Sequence, residues 1–386
     1  MRLLHVIPSV AAAHGGPSRA IVIMEKALVA LGVSVTTATT DDDGPGRHLA
    51  CTLNKAVDAE QITRWYFHKS INFYKVAWSF VPWVKQAVTS FDIVHIHALF
   101  SFTSIVAAWA ARRAGVPYII RPLGTLTNYG RTQRRPWLKR LSLKWIEGPL
   151  LRDAAAVHFT SLDEQREAAE CGVPMRGVVI PLGIDAAPVT DDTLVRSHFS
   201  ALQGSSYLLY LSRLDPKKNV EGLLHAFAQC HVQLPNTKLL IAGNGTPDYV
   251  ACLMALATTL GLDKQVIWAG HIDGDLKASA LAGATLFVLP SFSENFGIAA
   301  AEALMAGLPC VLGQGVAISQ DVVTAGAGVA VQTDPASIAA GLMQVLSDPA
   351  KQATMAASAA ALARSKYSAQ AMGVKLVQLY SGLLKK

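Results

Sequence analysis

Short apolar runs alternate with longer helical stretches from one end of this 386-residue chain to the other. Two of the runs, at 239–242 and 286–289, contain no polar residue. Strands that are apolar on both faces are typical of a parallel sheet covered by helices on both sides. The alternation therefore predicts an α/β fold with doubly wound parallel sheets and right-handed crossovers.

The chain is long enough for two such domains, since one doubly wound sheet needs about 150 to 200 residues. A stretch rich in glycine and proline at 181–188 is the best boundary. We therefore expect one domain at 1–183 and a second at 190–367, with the last helix, about 368–386, joining the first. The predicted strands lie at 3–7, 34–39, 93–97, 118–121, 156–160, 178–181, 208–212, 238–243, 266–270, 285–290 and 310–313. The predicted helices include 17–31, 101–114, 163–171, 220–233, 248–260 and 298–306.

Composition excludes several classes of protein. Apolar residues make up 51% of the chain, which argues against disorder. The five cysteines include no C-x-x-C pair, which argues against a zinc ribbon or a disulfide framework and for a reducing compartment. No uncharged apolar stretch reaches 18 residues, so no transmembrane helix is predicted, and the first residues fit a strand better than a signal peptide.

The net charge of +7 lies entirely in the first half of the chain. Residues 1–187 hold 21 Lys and Arg against 14 Asp and Glu, whereas residues 188–386 hold 13 of each. A basic face attracts phosphates on nucleic acid or on an anionic membrane, although simple solubility explains the excess equally well.

A polar loop and the apolar helix after it carry two glutamates. Glu294 follows the strand that ends at Pro290, and Glu302 lies about one and a half turns inside the helix that begins near Gly297. Free N–H groups and partial positive charge at a helix N-terminus suit a phosphate or hydroxyl ligand. A carboxylate in so apolar a helix is costly if it is buried unpaired. We therefore favour ligand binding over a capping loop with a solvent-facing Glu302.

This segment resembles the E-x7-E signature of the retaining nucleotide-sugar glycosyltransferases of family four, which have the GT-B architecture. The resemblance implies two Rossmann-like domains that face a central cleft, with the acceptor bound by the N-terminal domain and the nucleotide-sugar by the C-terminal domain. It also implies that Glu294 and the backbone at Asn295, Phe296 and Gly297 hold the donor sugar. Glu302 would hold the ribose hydroxyls.

Two cations lie in the turn after the first strand of the second half. Arg213 and Lys218 can converge on a diphosphate near the helix that follows, and neutralising a departing diphosphate is what a metal-free glycosyl transfer requires. Both residues match the diphosphate element of family four. Taken alone, they would more simply be two surface cations.

Glycines follow several of the predicted strands. Gly15 and Gly16 precede a helix that starts with proline, and the family has a Gly-Gly loop here that faces the donor phosphate. Gly243 follows a strand of the second half, where a glycine lets backbone approach a ligand. In relatives the region around Ile272 contacts the base. Ordinary turns explain these isolated features nearly as well.

Two further residues lie at strand ends in the first half. Many relatives carry a histidine at the position of His97, where it hydrogen-bonds the donor sugar, although a lone histidine at a strand end is more often structural. Arg121 ends the next strand and is a candidate for acceptor binding. Leu123 stands where some relatives have a histidine, so no role is assigned to that position.

The stretch 128–152 combines cations with aromatic and aliphatic residues at helical spacing. A basic amphipathic helix that carries tryptophan is typical of a membrane surface or of an anionic acceptor site. Plain packing is the main alternative, and nucleic-acid binding is disfavoured. The residues concerned are Arg131, Arg134, Arg135, Trp137, Lys139, Arg140 and Lys144.

The resemblance as a whole implies a retaining, metal-independent hexosyltransferase. The donor would be a UDP- or GDP-sugar, and the acceptor a glycan or a lipid-linked intermediate, at a cytoplasmic location that includes the inner face of the membrane. No cofactor, no metal and no nucleic-acid partner are expected, and the acidic run Asp41–Asp43 is interpreted as a solvated turn. The alternatives are a nucleotide-sugar hydrolase or epimerase of the same architecture, and a non-catalytic nucleotide-sugar binder.

Overall fold

The computed structural model describes residues 1–132, 136–185 and 191–385. The chain forms two compact units, one made of Met1–Gly183 with Ala369–Lys386 and the other of Ile184–Ser368. The chain therefore leaves the first unit once and returns to it with its last helix.

The described β-strands form one sheet in each unit. Those of the first unit are β1 (Arg2–Val6), β2 (Ser34–Thr40), β3 (Ala56–Ala59), β4 (Ile62–Phe67), β5 (Ile93–His97), β6 (Tyr118–Arg121), β7 (Ala156–Phe159) and β8 (Gly177–Val179). Those of the second are β9 (Ser206–Leu211), β10 (Thr237–Ala242), β11 (Val266–Gly270), β12 (Leu286–Leu289), β13 (Cys310–Gly313) and β14 (Gly328–Val331).

The α-helices lie mostly between consecutive strands. In chain order they are α1 (Gly16–Ala30), α2 (Phe80–Ala87), α3 (Phe102–Ala114), α4 (Asn128–Thr132), α5 (Pro136–Ser142), α6 (Gly148–Asp153), α7 (Leu162–Ala169), α8 (Thr193–His198), α9 (Val220–Cys230), α10 (Pro247–Thr259), α11 (Gly274–Gly283), α12 (Ile298–Met305), α13 (Ser319–Thr324), α14 (Pro335–Leu346), α15 (Pro349–Leu362) and α16 (Ala369–Leu384). A π-helical segment, Leu143–Glu147, joins α5 to α6.

The first sheet has the strand order β3-β4-β2-β1-β5-β6-β7-β8. Its strands are parallel apart from β3, which is antiparallel to β4. One face packs on α1 and α16, through residues such as Leu28 and Leu376, and the other packs on α2 and α3, through residues such as Val84 and Ala107. The sheet is thus covered by helices on both faces, as is typical of parallel sheets.

The second sheet is parallel throughout and has the order β11-β10-β9-β12-β13-β14. The order reverses direction beside β9, since β10 lies on one side of it and β12 on the other. In an open sheet of this kind, ligands bind beyond the carboxyl ends of the strands near the reversal. We therefore expect a ligand to bind at the loops after β9 and β12.

The prediction of two doubly wound parallel sheets is confirmed, and most elements lie within two residues of their expected bounds. Three of the observed strands, β3, β4 and β14, are not predicted from the sequence. The basic stretch was expected as one helix, but the structure divides its described part into α4, α5, the π-helical segment and α6.

Candidate functional site

Lys218 and Glu294, taken from two separate motifs, are in direct contact in the second unit. Lys218 Nζ forms a salt bridge with Glu294 Oε1, and the hydroxyl of Ser291 donates to the same oxygen at 3.1 Å. The two charged side chains are only 10% and 16% exposed. The structure thus brings the predicted diphosphate cation to the predicted sugar-binding carboxylate.

Asn219 holds the loop after β9 against the loop after β12. Its backbone is left-handed, with φ of 58°, and its side-chain amide donates to the carbonyl of Pro290 at 3.2 Å and to that of Thr333 at 2.7 Å. The N–H of Phe292 adds a bond to the carbonyl of Lys217 at 3.0 Å. These bonds fix the position of Lys218 relative to the Glu294 loop.

The backbone of Glu294 is held on both sides by the loop after β13. Its N–H donates to Gly315 O at 2.9 Å, and its carbonyl accepts from Ala317 N at 3.2 Å. A Cβ at position 315 would lie 2.0 Å from Phe292 O, so only glycine permits this close approach. Gly297, with φ of 91°, then turns the chain into α12.

Glu302 has a cationic partner that the sequence did not indicate. Lys277 Nζ, from α11, lies 2.8 Å from Glu302 Oε1, and the two side chains are 11% and 12% exposed. A largely buried carboxylate in an apolar helix needs such a partner, because its desolvation is otherwise uncompensated. The sequence indicated that a buried Glu302 would need a partner, which was taken to be a ligand, and nothing in it marked Lys277.

The other residues predicted to bind the donor differ in their exposure to solvent. Phe296 and Ile272 are buried, and the Phe296 ring packs edge-on against Tyr367 with centroids 5.5 Å apart. The Phe296 side chain thus belongs to the core, which leaves its backbone for a ligand. Asn295, next to it, is exposed.

Gly243 allows the loops after β9 and β10 to meet. Its φ is 151°, and a Cβ there would lie 1.8 Å from Ser212 O. The N–H of Leu214 donates to Asn244 O at 2.8 Å, and Gly243 N donates to Gly270 O at 2.7 Å. A side chain at position 243 would separate these loops.

Arg213 is exposed on the loop after β9. Within the described ranges, its guanidinium forms no salt bridge, whereas its carbonyl accepts from the Tyr210 hydroxyl at 3.2 Å. The backbone is therefore held while the cationic group faces solvent. Such a group is suited to binding an anion.

In the first unit, Gly15 and Gly16 open α1 as expected. Gly15 has φ of 66° and caps the helix, and no atom lies within 4 Å of where its Cβ would be. Its N–H donates to Ala12 O at 2.9 Å. Glycine is required here by backbone conformation rather than by crowding.

His97 belongs to a row of buried histidines across the first sheet. His5, His95, His97 and His158 are all 0% exposed, and His5 Nδ1 lies 2.8 Å from His97 Nε2. Arg121, the register partner of His97, is 2% exposed. Its Nε and Nη1 atoms have no hydrogen-bond partner among the residues described.

Hydrogen bonds assign the tautomers of two of these histidines. His158 Nε2 lies 2.8 Å from the carbonyl of Ile180, so it carries the proton. His158 Nδ1 then accepts from His95 Nε2 at 3.4 Å, and His95 Nδ1 accepts from the Tyr380 hydroxyl at 2.8 Å. The last helix thus contributes directly to the row.

Burial keeps the histidine row neutral at pH 7. Desolvation and the Arg121 charge lower the pKa of His5 to about 3 and that of His158 to about 3. Desolvation also lowers the pKa values of His95 and His97 well below their usual range. Burial lowers the pKa of Arg121 only to about 10, so this side chain keeps its positive charge.

The basic stretch exposes its aromatic residues. Trp137 and Trp145 are 67% and 66% exposed, and Leu141 and Ile146 are also exposed. These four residues, with Arg140 and Lys144, are called the tryptophan face below. Exposed apolar residues that form a contiguous patch, unlike single ones, are typical of a binding surface.

The predicted cations of the stretch differ in their surroundings. Arg131 pairs with Glu170 at 3.1 Å, and Lys139 Nζ donates to Gly130 O at 2.5 Å. Arg140 and Lys144 are exposed, and the Lys144 ammonium lies 5.2 Å from the Trp145 ring centroid. Arg134 and Arg135 lie outside the described residues.

A second exposed apolar segment lies next to the tryptophan face. Ile71, Phe73 and Trp78 are 47%, 52% and 59% exposed. The hydroxyl of Tyr74 donates to Ser142 Oγ at 3.1 Å, which joins this segment to the end of α5. No charged motif in its sequence marks this segment as a binding surface.

Glu147 ends the π-helical segment and points inward. It is 1% exposed, and its Oε1 accepts from Phe100 N at 3.0 Å. Burial raises its pKa to about 7, although the hydrogen bond from Phe100 opposes this effect. A buried titratable carboxyl thus follows the exposed Trp145 and Ile146 directly in the chain.

The interpretation of Asp41–Asp43 as a solvated turn is wrong for the first two residues. Asp41 and Asp42 are 3% and 0% exposed. Both carboxylates make bonds to side chains of later segments, which the local sequence could not reveal.

No helix in the described parts of the chain combines the length and the apolar character that crossing a membrane requires.

Both units match models of known protein families. Residues 15–183 match a model described as glycosyl transferase 4-like domain, and residues 196–362 match one described as glycosyl transferases group 1. One match lies in each unit.

Curated proteins similar to this chain include glycogen synthase of Mycobacterium tuberculosis, 29% identical over 253 residues, which cover 61% of this chain and 59% of that protein. They also include α-monoglucosyldiacylglycerol synthase of Streptococcus pneumoniae, 28% identical over 228 residues, which cover 57% and 51%. The chain therefore spans between half and three fifths of the length of these relatives.

Among solved structures, the chain is similar to Anabaena HepE in complex with UDP. The TM-score is 0.78 at 20% identity, over 99% of this chain and 100% of that one. The fold is thus the GT-B α/β fold, as the resemblance implied. With both family matches, this fold places the chain among the GT4-type glycosyltransferases.

Proposed function

We propose that the chain is a retaining hexosyltransferase that moves a hexose from a UDP- or GDP-sugar to a hydroxyl of a lipid-linked or polysaccharide acceptor. The contact between Lys218 and Glu294 carries the proposal. It joins a cation suited to the leaving diphosphate to a carboxylate suited to the transferred sugar. Nucleotide binding is supported by HepE, a structural neighbour whose complex contains UDP.

Arg213 and Lys218 stabilise the leaving group. As the bond between the anomeric carbon and the diphosphate breaks, negative charge develops on the diphosphate oxygen, and nearby fixed cations lower the energy of that state. The acceptor hydroxyl attacks from the side that the diphosphate leaves, and its proton passes to the diphosphate. This arrangement needs no metal ion, so we expect transfer to continue in excess chelator.

Glu302 binds the ribose hydroxyls of the donor. Its carboxylate lies next to the ammonium of Lys277, which compensates its charge and orients it as a hydrogen-bond acceptor. Glu294 and the exposed Asn295 contact the sugar at the start of α12. The side chains of His97 and Arg121 are buried. We therefore expect these two residues to affect a bound ligand only through their backbone atoms or through small rearrangements of the side chains around them.

The tryptophan face contacts an anionic membrane that presents the acceptor. Trp137 and Trp145 supply apolar area at the depth of the headgroups, and Arg140 and Lys144 supply the charge that attracts anionic lipid. The name of the pneumococcal relative describes a lipid acceptor. The proposal therefore includes peripheral binding to the cytoplasmic face of a membrane.

The donor assignment is tested by the melting temperature of the full chain with UDP-, GDP- and ADP-sugars. A specific donor raises the melting temperature because it binds the folded state. Glu302→Ala should abolish the shift, and Arg213→Ala should weaken it. An unchanged shift in both variants would remove the site assignment.

Turnover separates the proposal from its alternatives. A transferase consumes the donor only with acceptor, whereas a hydrolase or epimerase consumes it without acceptor, and a binder consumes none. Proton NMR of the new linkage then reports the anomeric configuration, and an inverted product would contradict the retaining mechanism.

The membrane assignment is tested by sedimentation with vesicles. The wild-type chain should bind vesicles that contain phosphatidylglycerol and not pure phosphatidylcholine. The double variant Trp137→Ala/Trp145→Ala should lose most of this binding. Trp109→Ala, which removes a 44% exposed tryptophan from α3, is the matched control and should bind as the wild type does. Equal binding by all three proteins would refute a role for the tryptophan face.

A further inference from the structure

Three side chains from separate segments of the first unit converge near its surface. Asp41 Oδ2 lies 3.0 Å from His48 Nδ1 and 3.0 Å from His68 Nδ1. The two imidazole rings stack with centroids 5.0 Å apart and planes inclined by 22°. One potential ligand atom from each of the three residues lies within 4.8 Å of the other two.

The backbone fixes this arrangement at the carboxyl edge of the first sheet. Asp41 follows β2 and His68 follows β4, and these strands are parallel neighbours. Asp41 N donates to Phe67 O at 3.0 Å, and Leu49 N donates to Asp41 O at 2.7 Å. His48, next to Leu49, is thereby brought to the carboxylate.

The Asp41 carboxylate is oriented by a bond to its other oxygen. Oδ1 accepts from the backbone N–H of Lys69 at 2.7 Å, which leaves Oδ2 directed at the two histidines. The carboxylate is therefore held by an outer hydrogen bond, as ligands are in metal sites.

Exposure gives the cluster a path to solvent. The Asp41 side chain is 4% exposed, whereas His48 and His68 are 40% and 53% exposed. One ligand is thus fixed in the protein interior and two lie at the surface, so an ion can enter from water without unfolding the site. Coordination positions on the solvent side stay open.

The neighbouring cations are directed at a different carboxylate. Lys69 Nζ lies 2.6 Å from Asp42 Oδ1, and Lys75 Nζ forms a salt bridge with Asp42 Oδ2. His14 Nε2 is 2.9 Å from the same oxygen. Asp42 therefore compensates Lys69 and Lys75, and Asp41 is left for His48 and His68.

The donor set matches a borderline-soft divalent ion. In zinc sites, Zn–N and Zn–O distances of about 2.0–2.2 Å and tetrahedral geometry put neighbouring ligand atoms roughly 3.3 Å apart. The observed separation of 3.0 Å from Asp41 to each histidine is close to this value. We propose that Asp41, His48 and His68 form a binding site for a divalent transition-metal ion such as Zn²⁺. The site is independent of the proposed sugar transfer.

Isothermal titration of untagged, chelator-treated full-length protein with ZnCl₂ tests the proposal. We expect one strong Zn²⁺ site per chain, and His48→Ala and His68→Ala should each weaken it about tenfold or more. Both histidines are exposed, so their loss should leave the fold intact. Mg²⁺, which prefers oxygen ligands, should not compete.

His271→Ala is the matched control. His271 also faces a carboxylate, with Nε2 3.6 Å from Asp273 Oδ2, but in the described ranges no second histidine joins that pair in a potential metal cluster. This variant should bind Zn²⁺ as the wild type does. X-ray absorption of the zinc-loaded wild type should show two imidazole ligands at about 2.0 Å. The proposal would be overturned if His48→Ala and His68→Ala bound Zn²⁺ as tightly as the wild type does. It would also be overturned if the wild type had no strong Zn²⁺ site.

Discussion

Lys277 Nζ lies 2.8 Å from Glu302 Oε1, and this ion pair joins α11 to α12 beside the proposed donor site. Lys277→Met keeps much of the apolar stem but removes the charge that compensates and orients Glu302. We expect the dissociation constant for UDP, measured by titration calorimetry, to rise about tenfold, since one charge-assisted contact is worth about 1.5 kcal/mol.

Lys238→Met is the control for that change, because Lys238 belongs to the same unit and, within the described parts of the chain, its ammonium bonds only to a backbone carbonyl, Lys264 O at 2.8 Å. Its UDP affinity should equal that of the wild type. A Lys277 variant with unchanged affinity would show that Glu302 does not depend on its ion pair to bind nucleotide.

Glu294→Gln separates nucleotide binding from transfer. The amide keeps the shape of the side chain but removes its charge, which frees the Lys218 ammonium for the diphosphate. UDP affinity should therefore stay the same or increase, while kcat falls about a hundredfold or more because the donor sugar loses a charged contact. Parallel losses of affinity and kcat would indicate that Glu294 only holds the loop in place. Asp263→Asn, at an exposed site of the same unit, should change neither quantity.

The fold could be predicted because several strands are buried on both faces and contain uninterrupted apolar runs, as at 239–242 in β10 and 286–289 in β12. β4 was missed because its sequence, Ile-Thr-Arg-Trp-Tyr-Phe, includes polar residues that lie on a partly exposed strand near the sheet edge. β14 is only four residues long and contains a glycine and an alanine, which carry little strand signal.

The candidate site could be predicted only where its residues are close in sequence. Glu294 and Glu302 share one loop and helix, so their spacing was informative. Lys277 reaches Glu302 through tertiary packing, and no local pattern marks it. The meeting of His48 and His68 likewise depends on the pairing of β2 with β4, and β4 is not predicted from the sequence.

The histidine row should make the protein sensitive to acid. His5 and His158 have folded-state pKa values lowered from 6.5 to about 3, so below pH 6.5 the unfolded chain binds protons that the folded chain does not. The stability that these groups contribute is complete above pH 6.5 and is lost as the pH falls toward 3. As the pH falls from 6.5 to 5, the free energy of unfolding should decrease by roughly 2 kcal/mol for each of the two histidines.

Urea unfolding at several pH values measures this loss, and net proton uptake on unfolding at pH 5.5 gives a second readout. His225→Gln alters an exposed histidine of the other unit and should leave the slope unchanged. A free energy of unfolding that is constant from pH 7 to 5 would show that the row is protonated in the folded state.

Glu147 should act in the opposite direction over a neighbouring pH range. Burial raises its folded-state pKa from 4.5 to about 7, so between these values the folded chain holds a proton that the unfolded chain has released. The contribution of Glu147 to the free energy of unfolding is most favourable at low pH. It falls as the pH rises from 4.5 to 7 and is constant above pH 7. Glu147→Gln removes the titration, and it should become more stable relative to the wild type by up to about 3 kcal/mol across this range.

Urea unfolding of both proteins from pH 4.5 to 8 measures the difference, and Glu170→Gln, at an exposed glutamate of the same unit, serves as the control. Because Glu147 ends the π-helical segment that presents Trp145, its ionisation also bears on the tryptophan face. If ionisation displaces this segment, vesicle binding by the wild type should change between pH 6 and 8, while that of Glu147→Gln should not. A stability difference between the wild type and Glu147→Gln that does not vary with pH would contradict the raised pKa.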